Sequence, residues 1–114
     1  AAGAFKIGAN EVAIGMTMPY SAIELMRQRL NPRFFSRLAL TAEILAPDQA
    51  VLAGFLDQTV HAAEVRSAAQ KLATSITHLD LKSHAESKQR VRESTFAALR
   101  VAIERDEATY RAGL

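Results

Sequence analysis

At 114 residues, with 49% hydrophobic and 23% charged side chains, the chain has the composition of one compact globular domain with a single core, and it is too short for two. Fourteen Lys and Arg against twelve Asp and Glu give a formal charge of +2, and the basic residues are scattered, so no nucleic-acid role is indicated. The lack of cysteine excludes a disulfide framework, a thiol nucleophile and a zinc-thiolate site, and no apolar run approaches the roughly 18 residues of a membrane span.

The first residues carry no signal-type segment, and a cytoplasmic protein is the expectation. The sequence starts at Ala1 without an initiator Met and already reads as structured there, the pattern that an internal cut leaves. From Phe5 to Gly15, short apolar pieces alternate with Gly8, Asn10 and Gly15, which predicts two small strands joined by turns.

Pro19 then precedes Ser21 and Glu24, the Ser-x-x-Glu spacing of a capping box, and a helix is predicted from about Tyr20 to Leu30. Asn31 before Pro32 is a stop and a restart, because Asn caps and Pro suits the first helical position. Phe34, Phe35, Leu38 and Ala39 share one side of the second helix. Pro47 opens a third helix that ends at Gly54, and β-branched Thr59 and Val60 make Phe55 to Val60 a predicted short strand.

From Ala62 onward, Val65, Ala69, Leu72 and Ile76 recur at helical spacing. A long last helix from about Leu81 to Tyr110 gathers Val91, Ala98, Leu99, Ala102 and Ile103 on one face, which requires a partner. Its Arg90, Arg92, Arg100, Arg105 and Arg111 are interleaved with Glu93, Glu104, Asp106 and Glu107, a mixed-charge surface. No repeat or linker divides the chain.

Taken by its neighbours alone, Glu11 is a solvent-exposed turn residue. His61, His78 and His84 match no metal-ligand spacing and read as surface or cap residues, so no metal is expected. Phe34, Phe35, Met16, Met18 and Met26 read as core packing, with Met16 and Met18 also close enough to Glu11 in sequence to line an apolar pocket.

The series Asn10-Glu11-Val12-Ala13-Ile14-Gly15, Pro19, Arg29-Leu30, Leu40-Thr41-Ala42, Ala46 to Ala50 and Gly54 to Val60 resembles the enoyl-CoA hydratase/isomerase, or crotonase, family. The resemblance covers nearly the whole chain, most closely over residues 5 to 60. It implies the C-terminal portion of the α/β crotonase-like (ClpP/crotonase) fold, mostly α-helical with a few short strands. Residues 1–60 would be the end of the ββα spiral core, and residues 61–114 a helical region through which such proteins form trimers or hexamers.

On that resemblance Glu11 matches one of two acidic residues that face the acyl-CoA substrate, and it would move a proton in hydration or in double-bond isomerisation. Substrate binding would fall to Met16, Met18, Pro19 and Tyr20, and to Lys88, which sits where a basic residue approaches CoA phosphates. No metal or organic cofactor is implied. The second Glu and the backbone N–H pair that stabilises the thioester enolate lie upstream in the family, so this chain alone is expected to be inactive without the missing N-terminal half. The Tyr20-Ser21-Ala22-Ile23 run replaces a Gly-rich run of many family members, and its larger side chains are expected to reshape the acyl pocket. The alternative is a non-catalytic helical self-association module left by truncation or proteolysis.

Overall fold

The structure, a computed structural model, describes residues 1–113; Leu114, the last residue of the region 61–114, lies outside the described residues. Five α-helices follow a short N-terminal arm: α1 (Tyr20–Arg29), α2 (Pro32–Thr41), α3 (Pro47–Ala53), α4 (Val65–Ser75) and α5 (Leu81–Ala112). Short 3-10 turns at Val12–Ile14 and Ala62–Glu64 complete the order.

Most boundaries follow local chemistry. The Asn31 side chain accepts from Arg33 N–H at 3.1 Å and Pro32 opens α2. α3 ends at Gly54, whose φ of 97° lies in the left-handed region. A Cβ at Gly54 would stand 2.9 Å from the Arg29 carbonyl oxygen and 3.2 Å from Asn31 N, so the end of α3 is pressed against the α1–α2 junction. The bond from Asn31 N–H to the Ala53 carbonyl, 2.9 Å, completes that junction.

The expected capping box at Ser21 and Glu24 does not form. Pro19 is the N-cap of α1 and offers no side-chain cap, while Ser21 bonds instead to Asp106 of α5. Of the strands expected near the N-terminus, the described residues retain one antiparallel bridge, Ile7 with Leu45, joined by bonds of 3.0 and 2.8 Å. Val12–Ile14 winds into a 3-10 turn, and Phe55 to Val60 forms no strand. Extended backbone becomes a strand only where another strand pairs with it, and these residues find no such partner within the described chain.

The core lies between residues 18 and 53: Met18, Met26, Leu30, Leu38, Ala39, Leu45, Ala50 and Ala53 are buried together, with Phe34 and Phe35 packed against them. α5 lies along α1. The stripe it turns inward is Thr95, Ala98, Leu99, Ala102 and Asp106, whereas Val91 and Ile103 of the expected stripe are exposed. α4 packs mainly on its own lead-in turn and leaves Val65, Leu72 and Ile76 exposed.

The expected compactness therefore fails. The radius of gyration is 17.0 Å, against about 13 Å for a compact domain of this length, because α4 and the first half of α5 find no cover among the described residues. No helix of the described residues is long and apolar enough to cross a membrane.

Candidate functional site

Glu11 heads the 3-10 turn Val12–Ile14, and its carbonyl oxygen accepts from Ile14 N–H at 3.1 Å and from Met16 N–H at 2.9 Å. Gly15 closes the turn with φ 78°. The turn rests on α2, which holds Glu11 half-buried rather than free in solvent. Its Oε2 is fully buried and has no hydrogen-bond partner among the described residues. Buried polar atoms are usually paired, which sets this oxygen apart from the other side-chain polar atoms of the described residues.

The same turn supplies Val12 and Gly15 to an apolar groove of about 470 Å³, whose other walls include Met16, Met18, Ile23 and Leu40. Met18 is buried and Met16 is half exposed, so one floors the groove and the other sits at its mouth. Thioether side chains suit an apolar occupant of variable shape. Pro19 is half-buried at the head of α1, where its carbonyl accepts from Ile23 N–H at 3.0 Å.

Tyr20 is placed elsewhere. Its ring lies under the Arg105 guanidinium, 3.5 Å from Arg105 Cζ to the ring centroid, in a hollow shared with Ala97, Ala98 and Val101 of α5. Of the Tyr20-Ser21-Ala22-Ile23 run, only Ile23 lines the Met16–Met18 groove. Lys88 is exposed on α5, and among the described residues no hydrogen bond or ion pair holds it. The structure thus brings Met16 and Met18 together in a groove walled by the turn that Glu11 heads, whereas Glu11 itself, Pro19, Tyr20 and Lys88 do not line it.

Asp106 and Arg105 were not singled out as site residues by the sequence. Asp106 Oδ1 accepts from Tyr20 N–H at 2.7 Å, and its Oδ2 accepts from Ser21 N–H at 2.9 Å and from Ser21 Oγ at 2.6 Å. These bonds hold the Asp106 carboxyl below its ordinary value of 3.8, the Ser21 hydroxyl most strongly and then the Ser21 N–H; partial burial opposes them, and the Tyr20 N–H and the Arg105 charge add to them. No local signal reveals this, since the partners are 85 and 86 positions apart.

No family model matches the chain, and no protein of the curated collection does. Solved structures do. An enoyl-CoA hydratase/isomerase family protein from Pseudomonas syringae is 42% identical with a TM-score of 0.87, over 92% of this chain and 46% of that one. An enoyl-CoA hydratase from Mycobacterium ulcerans is 37% identical with a TM-score of 0.87, over 96% of this chain and 48% of its own. An enoyl-CoA isomerase from Mycobacterium tuberculosis is 36% identical with a TM-score of 0.86, over 94% and 47%. The chain spans about half the length of each.

Proposed function

The chain belongs to the enoyl-CoA hydratase/isomerase family, as the C-terminal half of the crotonase fold, and from that premise we propose that it is the C-terminal part of an enzyme acting on acyl-CoA thioesters, with Glu11 as its acid/base residue. The observation that carries the proposal is the buried Glu11 Oε2, without a partner among the described residues, on a turn that also walls an apolar groove.

Hydration of an α,β-double bond needs a base to take a proton from water and an acid to deliver one to carbon, and isomerisation needs one group to carry a proton between two carbons. Glu11 suits either task. Its carboxylate accepts a proton on one oxygen and returns it from the same group, and neither step calls for a metal or organic cofactor. An N-terminal half would supply the second carboxylate and the N–H pair that binds the thioester oxygen, a large share of the rate. Without that half the chain is expected to be inactive. Met16 and Met18 would receive the acyl chain, with Pro19 and Tyr20 at the head of α1 and Lys88 meeting the CoA phosphates in a trimer or hexamer.

The test is Glu11→Gln in the protein carrying both halves, assayed with enoyl-CoA substrates. Loss of roughly 10²- to 10⁴-fold in kcat supports the assignment, and full retention of activity overturns it. A second reading, a helical self-association module, is favoured by the exposed Leu72, Val91, Val101 and Ile103. It predicts concentration-dependent oligomers by sedimentation and no turnover of any acyl-CoA by this chain.

A further inference from the structure

The first turn of α1 faces two ways. Tyr20 and Ser21 look toward α5, where they meet Asp106 and Arg105. Met18, two residues before the helix, and Ile23, in its first turn, look toward the apolar groove that Val12 and Gly15 also line. The leading N–H groups of a helix have no partner inside it, and Pro19, at the N-cap, has neither an N–H nor a capping side chain to offer. The acceptor comes instead from α5, as one carboxylate taking three bonds from two consecutive residues.

Next to it, Arg105 covers the Tyr20 ring, so two consecutive residues of α5 grip two consecutive residues of α1. One turn earlier on α5, Ala102 is 4% exposed. A small side chain there lets the two helices approach closely, so the grip is transmitted between rigid elements rather than absorbed by a loop.

We propose that Asp106 is a positioning residue: from α5 it fixes the first turn of α1, and through Met18 and Ile23 on the opposite side of that turn it sets the width of the apolar groove. As far as the groove receives an acyl chain, the inference rests on the function proposed above. Its structural half, the coupling of Asp106 to Met18, does not. The docking of α5 is thereby linked to the shape of a groove that α5 does not itself line.

The experiment uses the protein carrying both halves, as wild type, Asp106→Ala, Asp106→Asn and Ser21→Ala. Methyl resonances of Met16, Met18 and Met26 are recorded with labelled methionine, together with melting temperature and with kcat and KM for a short- and a long-chain enoyl-CoA. Asp106→Ala is expected to shift the Met18 resonance and to raise the long-to-short KM ratio by about fivefold or more, the lower range of couplings between sites, with a smaller effect on kcat. Asp106→Asn, which keeps one acceptor oxygen, restores part of both. If Asp106→Ala does not fold, Ser21→Ala, which removes only the hydroxyl bond, is read the same way with smaller effects.

A lower melting temperature with an unmoved Met18 resonance and an unchanged KM ratio overturns the proposal and leaves Asp106 a purely stabilising contact. A wild type inactive on every acyl-CoA overturns the proposed function instead, and the Met18 resonance then decides the positioning role alone.

Discussion

Asp106 Oδ2 and Ser21 are joined twice across 85 positions of sequence, by the Ser21 hydroxyl at 2.6 Å and the Ser21 N–H at 2.9 Å. The Asp106 carboxyl is held below 3.8 chiefly by that hydroxyl. Between the lowered folded value and 3.8 the unfolded chain binds more protons than the folded one, so stability rises with pH through that window. The contribution is fully present above the ordinary carboxylate range and is lost as pH falls through the folded value. Asp80, lowered first by the Ser83 N–H and then by the Ser83 hydroxyl, acts in the same direction at the head of α5. Urea midpoints followed from neutral pH into acid should therefore fall less steeply for Asp106→Asn than for wild type, with the remaining slope carried in part by Asp80.

Two glycines with positive φ should respond differently to alanine. Gly15, at φ 78°, has nothing within 4 Å of the place a Cβ would take, whereas Gly54, at φ 97°, has the Arg29 carbonyl at 2.9 Å. Gly15→Ala should cost about 1 kcal/mol, the left-handed penalty alone. Gly54→Ala should cost roughly 2 kcal/mol or more, since the junction of α1, α2 and α3 must also open. Equal costs in urea unfolding would mean that the junction is looser than its geometry indicates.

Leu38 has no exposed surface and lies at the centre of the core cluster. Leu38→Ala should destabilise by about 2–5 kcal/mol. Leu40 on the same helix, 72% exposed, should tolerate alanine with little change. Chemical denaturation of the two variants side by side checks the contrast.

Lys88 stands exposed on α5, and its proposed role is electrostatic. Lys88→Ala should raise KM for CoA thioesters by roughly threefold at low ionic strength, with the difference closing as salt screens the charge. Steady-state kinetics at two salt concentrations decide it, and a salt-independent effect would point to packing instead.

Local chemistry was enough to place most helix boundaries. Asn31-Pro32, Pro47 and Gly54 act on their own neighbours, so the starts of α2 and α3 and the end of α3 were legible in the sequence, as was the long α5. The order of motifs around Glu11 pointed to the family that the solved structures support. Strands were not legible in the same way, because Ile7 to Gly15 and Phe55 to Val60 have extended character but only Ile7 finds a pairing residue, Leu45. Ser21 with Glu24 had the spacing of a capping box, yet the carboxylate of Asp106 competes for Ser21 and wins, with three short bonds to the start of α1.

The sequence by itself determined where most of the helices begin and end, while Glu11 was singled out only by the family resemblance and not by its own neighbours. Only the tertiary structure decided that Glu11 Oε2 is buried without a partner among the described residues, that Ile23 and not Tyr20 lines the groove, and that α5 caps α1. The physical reason is range: capping, proline and glycine effects act within one turn of chain, while burial and long-range hydrogen bonding depend on which surfaces the folded chain brings together.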